Sequence, residues 1–276
     1  MKVTFVFPGI AETGFSKVRR TPEYSWINHG IAALSACVKE KGYESTLIDF
    51  RALTSWGDVE DEVRKHNPDV LAITMMSVDF DYAMKVAGIA RACKPDIKIA
   101  VGGPHPSIMP DEVKENPNID HIFIGEGELS FTRFLDDLRK GARPARVITG
   151  ERPDLDRMPY IDREIFGFKE ETIDRYLPPP FVTLIAGRGC KYNCSFCQPA
   201  ERKIFGRTVR RRSVANIIEE LKILRKKQDF QSLMFLDDCL TEDIRWVKEF
   251  CDLYKKNKFN QPFVCQSRAD IIVRNE

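Results

Sequence analysis

Three cysteines within eight residues, Cys190, Cys194 and Cys197, are the side chains whose type and spacing are best suited to chemistry. Thiolates are soft donors for zinc or iron, and a C-x3-C-x2-C run on one loop lets three of them serve one metal centre. A closed zinc site takes four protein ligands. The four histidines, His29, His66, His105 and His121, all lie far upstream, and the next cysteine is Cys239. A cube-shaped four-iron cluster held by three thiolates instead leaves one iron open to a ligand carrying amino and carboxylate groups. Iron is the stronger reading and zinc its competitor. The remaining cysteines, Cys37, Cys93, Cys239, Cys251 and Cys265, are scattered and read as small buried hydrophobes. A disulfide framework does not suit a chain of this size with no export signal.

Composition narrows the partners. The 43 Lys and Arg against 41 Asp and Glu leave a formal charge of +2, too balanced for a general nucleic-acid binder. Six basic residues do fall between Arg202 and Arg212, and they read as a solvated loop or an anion contact rather than an RNA surface. With 43% hydrophobic and 30% charged residues the chain can bury a core. No apolar run approaches the ~18–20 residues that span a bilayer, and the N-terminus reads as a strand rather than a signal peptide. The expectation is a soluble, cytoplasmic protein without a membrane partner. Its 276 residues suit about two domains.

The elements that must position the cysteines follow from periodicity. Residues 1–140 alternate β-rich runs with helical stretches. The pattern predicts strands at Val3–Phe7, Ser45–Phe50, Asp69–Met75, Ile97–Val101 and His121–Ile124. Between them it predicts helices from Asn28 to Gly42, Asp58 to Lys65, Asp79 to Cys93 and Glu128 to Arg139. Nearly continuous apolar strands joined by helices imply an α/β fold, a doubly wound parallel sheet in the flavodoxin-like order. Ligands of such sheets bind beyond the strands' carboxyl ends. The loops there, Pro8-Gly9, Thr74–Ser77, Gly102–Pro106 and Gly125–Glu128, are rich in glycine and small hydroxyls. Neither a G-x-G-x-x-G nor a G-x-x-x-x-G-K-[ST] run accompanies them.

Residues 141–180 read as a linker rich in Pro, Arg and Asp, ending in Pro178-Pro179-Pro180. From 181 to 276 the strand–helix alternation resumes: strand Phe181–Ile185, a Ser213-capped helix to Lys227, strand Ser232–Leu236, helix Asp243–Lys255 and strand Phe263–Gln266. This is the repetition of a (βα) barrel, with sites at the strands' carboxyl ends. Asp237-Asp238 and Ser267-Arg268-Ala269-Asp270 stand at two of them.

The cysteine run, placed directly after a strand, resembles the signature of the radical S-adenosylmethionine (SAM) superfamily. The runs Val101-Gly102-Gly103-Pro104-His105-Pro106 and Ile124-Gly125-Glu126-Gly127-Glu128 resemble the cobalamin-binding domain found in many of its members. The resemblance implies a 4Fe–4S cluster on Cys190, Cys194 and Cys197, with SAM chelated at the open iron and cleaved reductively to a 5′-deoxyadenosyl radical. It places Phe196 near the adenine. Asp237 and Asp238 occupy the place of a Gly-Gly-Glu-like run that meets the SAM amino group, and Arg268 is placed to pair with the carboxylate. The alternative is that the two aspartates cap the next turn and Arg268 balances them. For cobalamin it offers Ser77, Gly102, Gly103, Pro104 and Glu126 as contacts of the nucleotide tail.

The Asp-x-His-x-x-Gly motif that supplies a histidine to cobalt in other cobalamin proteins is absent. That implies either cobalt without a histidine below it or a domain that has lost the cofactor. Three strands after Pro180, where the superfamily's partial barrel generally has six, imply a C-terminally incomplete core or one completed by a second chain. The implied activity is methyl transfer to an unactivated carbon of a small-molecule or peptide substrate, with an electron donor such as flavodoxin or ferredoxin. Cyclisation or oxidation by related radical chemistry, and a non-catalytic cobalamin- or cluster-binding sensor, are the alternatives.

Overall fold

The computed structural model describes residues 1–9, 27–167, 177–195, 197 and 200–275. They fall into two compact units, the first built mainly on residues 28–153 and the second mainly on residues 177–275.

The first unit is a parallel sheet whose strand order is β2-β1-β3-β4-β5-β6. Its strands are β1 (Lys2–Phe7), β2 (Glu44–Asp49), β3 (Val70–Thr74), β4 (Lys98–Gly102), β5 (His121–Ile124) and β6 (Val147–Thr149). The long crossovers are α1 (His29–Glu40), α2 (Trp56–His66), α3 (Phe80–Cys93) and α6 (Glu128–Arg139), with the short helices α4 (Pro104–Ile108) and α5 (Pro110–Lys114) between β4 and β5. The first five strands follow the expected flavodoxin-like order. Because strand side chains alternate between faces, consecutive apolar residues supply two separate cores. Val6, Leu71, Ile73, Ile99, Val101 and Ile122 point to one, with Val59, Val63 and Val86 from α2 and α3. Val3, Phe5, Val70, Ala72, Ala100 and Phe123 point to the other, with Ile31, Val38, Phe131 and Phe134 from α1 and α6. Burial on both faces is why these strands read as unbroken apolar runs.

Caps fix where the helices begin. Asn28 accepts a 2.9 Å hydrogen bond from the Ile31 amide, and Ser55 with Asp58 forms a reciprocal capping box on α2. The predicted second strand runs one residue too far. Asp49 caps a short 3-10 turn that begins at Phe50, and its carboxylate accepts from the Arg51 amide.

A further strand lies inside the segment read as a linker: β6 pairs with β5 in the register Ile122↔Val147. It holds only three residues, none of them buried, so its Val-Ile-Thr signal was submerged in the polar composition around it. Farther along, Asp162 accepts from the Ser35 hydroxyl (2.6 Å) and pairs with Lys39 (2.7 Å), so residues 159–167 also pack on the first unit.

The second unit carries a three-stranded parallel sheet, β7 (Phe181–Leu184), β10 (Ser232–Phe235) and β11 (Phe263–Cys265), with β10 in the middle. The register sets Leu233 beside Val182 on one side and Phe263 on the other. An antiparallel ribbon joins β8 (Gly187–Arg188) to β9 (Arg210–Arg211), with α7 (Ala200–Phe205) between them. Helices α8 (Val214–Lys227) and α9 (Ile244–Lys256) are the crossovers, and α10 (Ala269–Arg274) follows β11. Ser213 caps α8 as its sequence position predicts, and Asp243, read as the first residue of its helix, is the cap of α9. Phe235, Trp246, Phe250, Tyr254 and Phe263 form a continuous set of edge-to-face and stacked rings under the sheet. Among the described residues no helix is long and apolar enough to cross a membrane.

Phe235 is 0% exposed at the centre of that ring cluster, so Phe235→Ala is expected to destabilise this unit by about 3–5 kcal/mol. Ile223→Ala, at a position 39% exposed, should stay within about 0.5 kcal/mol. Urea unfolding followed by aromatic fluorescence checks both.

Candidate functional site

The cysteine loop leaves β8 through Gly189, whose φ of +94° lies in the left-handed region. A Cβ there would stand 2.9 Å from the Thr208 carbonyl oxygen and 3.1 Å from Phe205 Cβ, so only glycine lets the loop pass. Beyond it, the Cys197 amide donates to the Cys194 carbonyl (3.1 Å), a turn that gathers these two residues. All three thiols are free; Cys190 and Cys194 are half-buried and Cys197 is exposed. Cys190 lies within electrostatic reach of Cys197, Cys239 and Asp238, and burial pushes its thiol above the usual range. Phe196 lies outside the described residues.

Among the described residues no three His, Cys, Asp or Glu side chains stand so as to hold one metal ion. Zinc requires its donors around a single point, whereas a four-iron cube takes each thiolate on a different iron, with the sulfurs spread apart. Cys190, Cys194 and Cys197 are the three thiols on one loop that the sequence reading assigns to such a cube. A cation already faces one of them: Arg268 Nη1 donates to Cys194 Sγ at 2.9 Å.

Asp237, at the end of β10, is 6% exposed. Its Oδ2 accepts from the Ala186 amide at 2.8 Å, the Gly187 amide adds a second bond, and Arg211 Nη1 stands 3.5 Å from Oδ1. Burial outweighs these partners and pushes its carboxyl up to about 6. Asp237 thus joins β10 to the β7–β8 connection instead of capping the next turn, while Asp238 is exposed. The idea that Arg268 balances this aspartate is corrected as well. Arg211 on β9 is the cation beside Asp237, and Arg268 Nε pairs with Asp270 at 2.9 Å.

The basic run is corrected in part. Arg211 donates to the Cys239 and Leu240 carbonyls (3.2 and 3.1 Å), and its guanidinium lies over the Trp246 ring. Arg212 pairs with the buried Glu220 at 2.6 Å. These two are framework cations, not a solvated loop. The carboxylate of Glu242 stands 3.9 Å from Arg211 and 3.1 Å from Lys191. A ladder of alternating charge thus runs from the cysteine loop through Glu242 and Arg211 to Asp237.

At the carboxyl edge of the six-stranded sheet, Gly103 has φ +102°, and a Cβ there would meet the Met75 backbone at 3.1 Å. The loops after β3 and β4 are bound together by Met75 N→Gly102 O (2.9 Å) and His105 N→Met75 O (3.0 Å). Pro104 opens α4. Ser77 is exposed, with its hydroxyl 3.1 Å from His105 Nδ1. Glu126 is buried, and its backbone packs against Gly150. Sequence reasoning missed Ser107, whose hydroxyl donates to the Gly103 carbonyl (2.8 Å) and accepts from the Gly125 amide (2.9 Å). Its place four residues after Gly103, where a helical hydroxyl can reach back to a carbonyl, was the available signal.

The fold and site define a class: a doubly wound parallel sheet with a glycine-rich edge, followed by a parallel βα unit bearing a three-thiol loop. Residues 16–135 match the B12 binding domain family. An uncharacterised methyltransferase of Pyrococcus horikoshii is 30% identical over 259 residues, covering 87% of this chain and 54% of its own length. The anaerobic magnesium-protoporphyrin IX monomethyl ester cyclase of Rubrivivax gelatinosus is 26% identical over an alignment of 300 residues, covering 100% of this chain and 52% of its own. Among solved structures, the cobalamin-dependent S-adenosylmethionine radical enzyme OxsB, with aqua-cobalamin and S-adenosylmethionine bound, superposes with a TM-score of 0.76. That match has 20% identity and covers 98% of this chain and 39% of that one. The chain spans about half the length of the curated relatives it matches. Its first unit thus matches a B12 binding domain, and the chain is similar in fold to a cobalamin-dependent radical SAM enzyme.

Asp237 titrates near 3.8 when unfolded and at about 6 when folded, so folding favours its protonated form. Stability of the second unit is therefore expected to fall as pH rises from about 4 through about 6, and then to level off. In Asp237→Asn this decline should disappear, read as urea midpoints across that pH range.

Proposed function

We propose that this chain is the cofactor-bearing part of a cobalamin-dependent radical SAM enzyme, and that the reaction is methyl transfer to an unactivated carbon. The observation that carries the reading is the coexistence, in one chain, of a B12-type sheet edge and a loop presenting three free thiols. Cys190, Cys194 and Cys197 would hold the 4Fe–4S cluster. Ser77, Gly102, Gly103 and Pro104 would line the place of the cobalamin tail, with the backbone around Glu126 beside them. Bound, the cluster supplies an electron for cleaving the SAM sulfonium, and cobalamin supplies a transferable methyl group.

The chain's own contribution is positional. Gly103 leaves the sheet edge without a side chain where two loops meet, and Ser107 holds the Gly103 and Gly125 loops in a fixed relation. Asp237 faces the Ala186 and Gly187 amides and Asp238 is exposed beside it, and by the resemblance this pair would meet the SAM amino group. A substrate of small-molecule or peptide size and a flavodoxin- or ferredoxin-type electron donor complete the reading. Ring closure is the second reading, favoured by the cyclase relative that matches the chain along its whole length. The two differ in products: methyl transfer yields S-adenosylhomocysteine as well as 5′-deoxyadenosine, whereas ring closure yields only the latter.

Anaerobic reconstitution with iron, sulfide and hydroxocobalamin should load about four irons and one corrinoid per chain. Cys194→Ala is expected to lose the brown iron–sulfur absorption and all reductive SAM cleavage, and cleavage surviving in that variant would overturn the cluster assignment. Gly103→Val should bind cobalamin at least tenfold more weakly while keeping its full iron load, because the new side chain meets the Met75 backbone. Equilibrium dialysis and iron analysis together separate the two cofactors.

A further inference from the structure

Arg268 precedes α10, far along the chain from the cysteine loop, yet three contacts hold it there. Nη1 donates to Cys194 Sγ at 2.9 Å across a separation of 74 residues. Nε donates to Asp270 Oδ1 at 2.9 Å. The guanidinium lies 4.1 Å from the centroid of the Tyr192 ring, two residues before Cys194. Arg274 in turn stands 3.5 Å from the other Asp270 oxygen. The guanidinium is thus gripped on one edge by a carboxylate and on one face by an aromatic ring, with a second edge aimed at sulfur. Such a rigid fork suits directed donation to an anion far better than a flexible ammonium would.

We propose that Arg268 is a positioning residue that sets the reduction potential of the cluster through Cys194. The inference rests on the cluster reading above. Reduction adds one electron, drawn from an external low-potential donor, and no proton, so negative charge on the iron-bound thiolates increases. A charge-assisted N–H···S bond stabilises that more negative state over the oxidised one and raises the midpoint potential. Asp270 opposes the effect from the far edge of the guanidinium, whereas Lys191, 5.4 Å from the Tyr192 ring centroid, is itself paired with Glu242 at 3.1 Å. This role differs from pairing with the SAM carboxylate. It acts on the protein's own sulfur and is present before SAM arrives.

The test compares the reconstituted chain with Arg268→Met, Arg268→Lys and Asp270→Asn. Each is titrated with dithionite in the absence of SAM and followed by the EPR signal of the reduced cluster. SAM affinity is measured separately by equilibrium dialysis. With iron content unchanged, Arg268→Met should shift the one-electron equilibrium about tenfold toward the oxidised cluster, about 59 mV more negative. Arg268→Lys, which keeps charge but loses the fork, should fall between Met and wild type, and Asp270→Asn should move the midpoint upward. An unchanged midpoint in a fully loaded Arg268→Met chain overturns the proposal, and if SAM affinity falls at the same time, Arg268 belongs to the SAM carboxylate instead. A wild-type chain that takes up no iron would overturn the cluster reading itself, a separate result.

Discussion

The second unit depends on one buried carboxylate. Asp237 sits where β10 ends, β7 passes into β8 and β9 returns, and it bonds or faces a group from each. Removing an ionised group from water is expensive unless amides and a cation replace the solvent. Ala186, Gly187 and Arg211 do so only in part, which is why the carboxyl titrates so high. What this arrangement secures is the departure of the cysteine loop. β8 and β9 are two residues each, too short to hold their register alone. The charge ladder through Arg211 and Glu242 extends the same hold to Lys191, one residue past the first cysteine.

The first unit solves a similar problem mainly with backbone groups. Its sheet edge is shaped by backbone hydrogen bonds between neighbouring loops and by Ser107, which spans two of them. Gly103 allows that closeness, since any side chain there would press on Met75. An edge shaped by backbone groups suits a large ligand rich in amide groups, consistent with the B12 binding domain match that covers this unit's strands β2 to β5. The cysteine loop of the second unit, by contrast, is neighboured by charged side chains, Lys191, Arg211, Asp237, Glu242 and Arg268.

Much of the fold was legible in the order of residues. Parallel strands with both faces covered must be apolar throughout, so β1, β3, β4 and β5 stood out, and Asn28 and Ser213 marked helix starts because an unpaired helix amide needs a side-chain acceptor. β6 and the β8–β9 ribbon were not legible. None is longer than three residues, and their stability comes from neighbours distant in the chain, not from their own pattern. The basic run from Arg202 misled for a related reason: sequence shows that charges are close together, but not that Glu220, Asp237 and Glu242 are brought in beside them.

The site divides along the same line. The sequence alone determined that Cys190, Cys194 and Cys197 lie together, because three thiols this close together must share one loop whatever the fold does elsewhere. It also determined that glycines would line the sheet edge, since they occur in runs directly after strands. Only tertiary structure decided how the charged residues were allotted. Asp237 went to Ala186 and Arg211, and Arg268 reached Cys194 as well as the nearby Asp270; all of these but Asp270 lie tens of residues away in the chain. Charge attraction acts through space and is indifferent to chain position, so it becomes specific only once the strands have set which groups are near.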